Sequence, residues 1–399
     1  MQKITVVGGG FAGLTAAISA AESGARVTLH EAHHTLGGRA RTADGTYRTN
    51  DGPHALYRSG PHWSWLSRHG LLPRGSVASV PARELLRFRF RRGGALRVAP
   101  PRGLLGLVRR PAAEAPVDSD YLSWATGVAG ETAARAAAHF IGVALFHHDP
   151  GSLSARFVQE RLRRVTALPP QARYPVGGWG TLVDRMADRA RELGVRIETT
   201  ARVDALPADH GPVVVATSLD AARSLLGDDT LSWPGGRTTL VDLALRTRKG
   251  DPFIVSDLDA PGWVERFSAQ DRTLAPAGQS LLQCHLPVAP EESKAEGGAH
   301  ADALLDLGFP GWRDRTEWRR DALSQGRTGA VDLPDTTWRD RPAIDRGDGV
   351  YLVGDQVAAP GLLSEVSFTS ALEAVSLALR AGGRRAAGPS APSGAVGTP

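Results

Sequence analysis

The stretch Ile4-Thr5-Val6-Val7-Gly8-Gly9-Gly10-Phe11-Ala12-Gly13 constrains this chain more than any other. Ile4 to Val7 read as a buried strand of a parallel sheet, short and almost wholly apolar. Gly8 makes a tight turn, Gly10 presents bare backbone to a pyrophosphate, and Gly13 lets the next helix pack closely on the strand. That helix opens at the phosphate, so its free N–H groups and positive dipole end face negative charge. Thr15, Ala16, Ala17, Ser19, Ala20 and Ala21 keep it slim. A second strand, Arg26 to His30, ends at Glu31, 18 residues beyond Gly13. A carboxylate there accepts hydrogen bonds from ribose hydroxyls and repels a 2′-phosphate. The glycine pattern alone is weak, but strand, turn, helix, strand and acid in this order predict a dinucleotide site.

A chain of 399 residues with 42% hydrophobic content can bury the cores of two domains. The net charge is +5, yet only Lys3, Lys249 and Lys294 of the 47 basic residues are lysines. So strong an arginine bias, beside abundant Ala, Gly and Pro, reads as compositional bias, and no nucleic-acid partner is expected. The lone Cys284 rules out an internal disulfide and a cysteine-based metal site. The pairs His33-His34 and His147-His148 have no further ligands nearby in sequence, so no metal is expected. The first strand follows Met1 almost at once, and no apolar run reaches the length of a membrane span. A cytoplasmic protein is the expectation. Residues 383–399 are rich in Gly, Pro, Ser and Ala and are expected to form a disordered tail.

Along the chain, residues 85–99 predict a hairpin turned by Gly93-Gly94. Residues 120–168 predict helices, and a glycine-rich connection, 175–180, leads into a helix over 181–193. Strands are expected at 196–199, 202–205, 213–216, 239–245, 279–286 and 350–353, with helices at 299–307 and 367–379. The nucleotide-type segments thus fall at the start, middle and end of the chain. This predicts an α/β protein with a discontinuous Rossmann-type domain, 1–65, 171–235 and 336–382. An interleaved α+β substrate domain takes 66–170 and 236–335.

On these motifs the chain resembles the superfamily of FAD-dependent amine oxidases, phytoene desaturases and protoporphyrinogen oxidases. The residues that carry the resemblance are Gly8–Gly13, Glu31, Gly37-Gly38-Arg39-Ala40-Arg41-Thr42, Asp51-Gly52-Pro53-His54, 175–180, Val203 and Val350–Asp355. The resemblance implies FAD as cofactor. It implies that Gly8, Gly10, Phe11, Ala12 and Gly13 surround the pyrophosphate, with Glu31 and Ala32 at the adenosine ribose. Gly37, Gly38, Arg39 and Arg41 would line the pyrophosphate and ribityl region, with Gly52, Pro53 and His54 near the flavin. The backbone of Val203 would touch the adenine, and Ala216 would lie at a strand end beside the cofactor. Gly354 and Asp355 would hold a phosphate or ribityl hydroxyl. Gly361 to Ser367, including Glu365 and Val366, would lie against the isoalloxazine. A helix N-terminus at that ring favours the reduced anion.

The departures bear on the reaction. Many amine oxidases of the superfamily place a lysine and an aromatic pair at the flavin. Here Lys249 and Lys294 sit in polar segments, and 358–363 carries no aromatic residue. The expected function is therefore hydride transfer from a substrate C–H to flavin N5, desaturating a small apolar metabolite, with oxygen or a quinone as electron acceptor. Amine oxidation with peroxide release, redox-neutral isomerisation and flavin binding without catalysis are the alternatives. No residue is marked as a catalytic acid or base; His54 is either a substrate contact or a structural loop residue. The basic and apolar stretch 85–110 admits two readings, a peripheral membrane contact or a half-buried hairpin with a solvated arginine face, and the hairpin is preferred.

Overall fold

A computed structural model describes residues 1–52, 55–109, 114–206 and 210–386. The chain opens as β1 (Lys3–Val7), α1 (Phe11–Glu22) and β2 (Arg26–His30), the expected βαβ start. It continues through β3 (Leu56–Tyr57), α2 (Pro61–Arg68), β4 (Val77–Ala78), α3 (Ala82–Leu85), β5 (Phe88–Arg92), β6 (Ala95–Arg97) and α4 (Arg102–Arg109). Three helices follow, α5 (Tyr121–Ala129), α6 (Glu131–Leu145) and α7 (Ala155–Val165), then β7 (Ala172–Pro175), α8 (Trp179–Glu192), β8 (Arg196–Glu198), β9 (Val213–Val215) and α9 (Leu219–Leu226). The remainder is β10 (Gly235–Arg246), β11 (Ile254–Asp257), β12 (Gly262–Glu265), β13 (Gln279–Pro287), α10 (Lys294–Gly308), α11 (Trp312–Arg315), β14 (Thr316–Ala330), β15 (Val350–Leu352) and α12 (Ser364–Ala386).

β15-β9-β1-β2-β8 form a parallel five-stranded sheet. Its strands are covered on both faces, which is why Val213-Val214-Val215 is wholly apolar and wholly buried. α1, α8 and α12 share one core with it, built on Val6, Leu14, Leu29, Met186, Leu352 and Ala371. Each such large aliphatic contributes about 1.5–3 kcal/mol on burial. The tight fit that Gly13 was expected to permit is present: a Cβ there would lie 1.8 Å from the Gly8 carbonyl oxygen.

A second sheet runs β14-β10-β13-β12-β11-β5-β6. Its outer face carries Val241, Leu243, Leu282, Cys284 and Leu286 against Leu304 and Leu305 of α10. Its inner face meets the helical layer of α4–α7 at one end and the loops after β2 at the other. A small antiparallel sheet, β3-β7-β4, lies beside these loops. The strands of the parallel sheet come from the start, middle and end of the chain.

Several expectations need correcting. Residues 202–205 form no strand but a loop that packs on the first core. α12 continues to Ala386, past the boundary expected for the tail at 383. β14, 15 residues long, was not expected at all, because Thr-Glu-Trp-Arg-Arg-Asp-Ala has no apolar alternation. Its outward positions pair with charges on α10 (Arg319 with Asp302 at 2.8 Å), so both of its faces are polar.

Candidate functional site

A glycine-lined cradle forms where β1 turns into α1. Gly8 adopts φ +107°, and a Cβ there would lie 2.5 Å from the Ala216 carbonyl oxygen at the end of β9. Gly10 caps α1 in an extended conformation, and no side chain caps the helix. A Cβ on Gly10 would meet only the Gly37 carbonyl oxygen, at 3.8 Å. The Gly37 N–H donates to the Gly9 carbonyl at 2.8 Å, and a Cβ on Gly38 would lie 3.6 Å from the Gly10 Cα. Two bare backbones therefore border the open N-terminus of a 12-residue helix, the arrangement that favours an anion. Glu31 is buried; its Oε2 accepts from the Gly9 N–H at 2.8 Å and its Oε1 from the His33 N–H at 2.9 Å. His33 Nδ1 also lies 2.8 Å from Oε1, so of the roughly four lone-pair sites of a carboxylate one remains for a ribose hydroxyl. Ala201 N donates to the Glu31 carbonyl, and this places the 201–203 loop, with Val203 packed on the core, beside it.

The carboxyl-terminal segment reaches the same place. Asp355 pairs with Arg39 at 2.5 Å, and the Gly354 N–H donates to Ser370 Oγ of α12 at 3.1 Å. Arg41 donates to Asp51 at 2.9 Å, fastening the arginine segment to the loop that holds Gly52. At the start of α12, Glu365 accepts from the Leu362 N–H at 3.1 Å and pairs with Arg164 of α7. A Cβ on Gly60 would fall 1.6 Å from Glu365 Oε1 and 2.7 Å from the Arg164 guanidinium, so a side chain there must displace this pair. Arg164 lies over the Tyr57 ring at 5.3 Å, and burial raises the Tyr57 phenol. Beneath lies His62, buried between Phe11 (5.5 Å) and Phe368 (5.3 Å). Its Nε2 has no partner among the described residues, and burial pushes the imidazole down to about 4, so it is neutral.

Facing these loops, the inner face of the large sheet carries a polar row. Ile254, Glu265, Gln283, Asp242 and Arg320 are directly opposed on β11, β12, β13, β10 and β14. Opposed residues share a face, and all but Arg320 are buried. Gln283 Nε2 donates to Asp242 Oδ1 at 2.5 Å and to the Asn50 carbonyl at 3.1 Å. Arg320 pairs with Asp242 at 2.7 Å and with Asp51 at 3.4 Å. Glu265 accepts from Gln270 Nε2 at 2.7 Å and from the Tyr174 hydroxyl at 3.2 Å. Burial raises both carboxyl groups, Asp242 to about 6 and Glu265 to about 8. His285, two residues from Gln283, approaches its Oε1 at 2.6 Å and stacks on Phe146. Trp263 Nε1 and Gln270 Oε1 are buried without a partner among the described residues. Such atoms are places where a polar group of a ligand can bond.

The structure thus brings together Gly8, Gly10, Gly13, Gly37, Gly38, Arg39, Ala216, Gly354 and Asp355 around the start of α1. Phe11 and Ala12 pack inward, Phe11 against Trp179 at 5.2 Å, and contribute backbone only. Ala32 is exposed at the end of β2. Val366 is buried in the core, and the Glu365 carboxylate is spent on Arg164, so at these two positions only the backbone is left to face a ligand. Pro53 and His54 lie outside the described residues. The sequence reading missed His62, Tyr57, Tyr174 and the polar row. Glu265 and Arg320 stand on strands it did not recognise, and the register that aligns the row exists only between strands.

A family model described as an NAD(P)-binding Rossmann-like domain matches residues 6–70. A sequence comparison with curated proteins yields no match. Among solved structures, an oxidoreductase from Methanosarcina mazei superposes with a TM-score of 0.73 at 17% identity, over 94% of this chain and 99% of its own. Cyclohexylamine oxidase from Brevibacterium oxydans IH-35A gives 0.70 at 15% identity, over 96% and 100%. Reduced UDP-galactopyranose mutase gives 0.68 at 14% identity, over 96% of each chain. The expected Rossmann-type fold with an interleaved second domain is present, and the resemblance read from the motifs extends over nearly the whole chain at the level of fold. The amino-terminal segment has a Rossmann-like fold, and the chain as a whole has the fold of these oxidoreductase, amine oxidase and mutase structures.

Proposed function

We propose that this protein is an FAD-dependent oxidoreductase that dehydrogenates a small apolar metabolite. One observation carries the reading: the Arg39–Asp355 pair ties two motifs 316 residues apart to the bare Gly10–Gly38 edge at the open end of α1. A structural turn would need neither the missing side chains nor the converging charges. The residues present fit FAD. Gly10, Gly38 and the N-terminus of α1 would hold the pyrophosphate, Glu31 the adenosine ribose, and Arg39 with Asp355 the phosphate and ribityl region. When bound, FAD supplies a two-electron acceptor for hydride. The chain's own part is to bind and orient: the polar row on the inner sheet face is fastened to the loop of Asn50 and Asp51, which Arg41 ties to the arginine segment of the cradle. All three lysines are exposed and away from this face, which weighs against an amine-oxidase type of site.

The test begins with colour. Purified protein, or apoprotein incubated with FAD, should show flavin absorbance, and denaturation should release FAD identifiable by mass. Arg39→Ala and Asp355→Ala should each retain less flavin. Protein that neither carries nor takes up FAD would refute the assignment. Anaerobic bleaching of the bound flavin by allylic hydrocarbons, but not by amines, is the expected pattern; peroxide release with amines would favour the amine-oxidase alternative.

A further inference from the structure

Seven large hydrophobic side chains are exposed among the described residues; two of them line one groove, and three more lie within three residues in sequence of its lining. Leu105 and Leu168 line the groove, of about 320 Å³, together with Phe88, Phe90, Leu104 and Phe140. Leu85 and Leu86 precede Phe88 in the chain, and Val98 lies two residues before Pro100. Leu86, Val98 and Leu168 are 81%, 76% and 76% exposed. So many exposed apolar groups at one place mark an interaction surface, since scattered single ones need no explanation.

The hairpin beside the groove is strongly basic, and Asp259 is the carboxylate that meets its Gly93-Gly94 tip from another element. Residues 82–106 contain seven arginines and a single carboxylate, Glu84. Glu84 is buried and engaged by Arg83, Arg87 and Arg266. Arg91 is neutralised by Asp257 at 2.7 Å. Arg92, Arg97 and Arg102 are exposed and make no ion pair among the described residues. Leucines flanked by unpaired arginines match an anionic bilayer: the leucines enter the acyl boundary while the guanidinium groups stay at the phosphates. No helix among the described residues is long and apolar enough to cross a membrane, so the contact is peripheral.

We infer that this face docks on an anionic lipid surface and that the groove opens into the bilayer. The groove wall continues the inner face of the large sheet. Phe88 on its wall opposes Ile254, which begins the row Glu265, Gln283, Asp242 and Arg320 that ends at Asp51. An apolar substrate dissolved in the membrane would enter along this face. That second statement rests on the proposed redox function; the docking does not.

The experiment is vesicle flotation of the full chain, read by protein content and needing no turnover. Vesicles of phosphatidylcholine with phosphatidylglycerol should carry the protein, and phosphatidylcholine alone should carry much less. Raising the salt should release it. Arg92→Gln, Arg97→Gln and Arg102→Gln together should weaken partitioning on the order of a hundredfold, about fivefold per arginine. Leu86→Asp with Leu168→Asp should abolish flotation while the unfolding midpoint stays unchanged. Failure to bind anionic vesicles overturns the inference, as does binding indifferent to lipid charge or to these variants. Concentration-dependent dimerisation abolished by the leucine variants, without flotation, would assign the face to a second copy of the chain instead.

Discussion

Replacing Glu265 by Gln tests the polar row most directly. Burial lifts this carboxyl from 4.5 to about 8, with Tyr174 and Gln270 bonded to it and Tyr57 within electrostatic reach. The native state therefore binds a proton that the unfolded chain has already lost between these values. Stability falls as pH rises wherever the folded state holds more protons. At about 1.4 kcal/mol per pH unit, the loss from pH 4.5 to pH 8 reaches at most about 5 kcal/mol. Gln keeps an acceptor at the position that Tyr174 and Gln270 contact, and it cannot ionise. The variant should match the parent near pH 5 and exceed it near pH 8.5, by about 2 kcal/mol even if water entering the site halves the penalty. Urea unfolding followed by circular dichroism across pH 5–9 measures this as a difference in midpoint slope with pH. Equal slopes, or a variant weaker than the parent at pH 8.5, would show that Glu265 is ionised and stabilised in the fold.

Three further outcomes follow from the same geometry. Gly13→Ala places a methyl group 1.8 Å from the Gly8 carbonyl oxygen, so α1 must shift; a loss of about 3 kcal/mol in urea unfolding, with weaker FAD retention, is expected. His62 is neutral with its imidazole near 4, so its contribution is complete above about pH 6.5 and is lost as pH falls from there toward 4. His62→Phe, which keeps the stack on Phe368, should remove up to about 3 kcal/mol of acid sensitivity, seen as a flatter melting temperature between pH 6.5 and pH 4. Arg320→Met strips Asp242 and Asp51 of a shared cation. A destabilisation of about 2 kcal/mol, growing as pH rises above 6, is expected from urea midpoints.

The amino-terminal βαβ unit was legible because every constraint on it is local. The turn at Gly8, the bare edge at Gly10, the close pass at Gly13 and the acid at Glu31 all act within one βαβ unit, so their spacing is written in consecutive residues. The wholly apolar 213–215 segment was legible for the same kind of reason, since a strand covered on both faces has no polar side. The same logic failed for β14, whose inner face is neutralised by Asp242 and Asp51 and whose outer face by Asp302. A strand that answers charge with charge carries no hydrophobic period. It failed at 202–205 because alternation alone cannot supply a neighbouring strand to pair with.

The sequence by itself determined that the first turn would be a bare glycine edge at the open end of a helix, that the chain would be α/β, and that strands of the same sheet would return at its end. Only the tertiary structure decided that Arg39 meets Asp355, that Glu365 is spent on Arg164, and that Glu265, Gln283, Asp242 and Arg320 share one row. Each of those facts depends on strand register or on contacts between residues far apart in the chain. Neither leaves a local pattern for single residues to display.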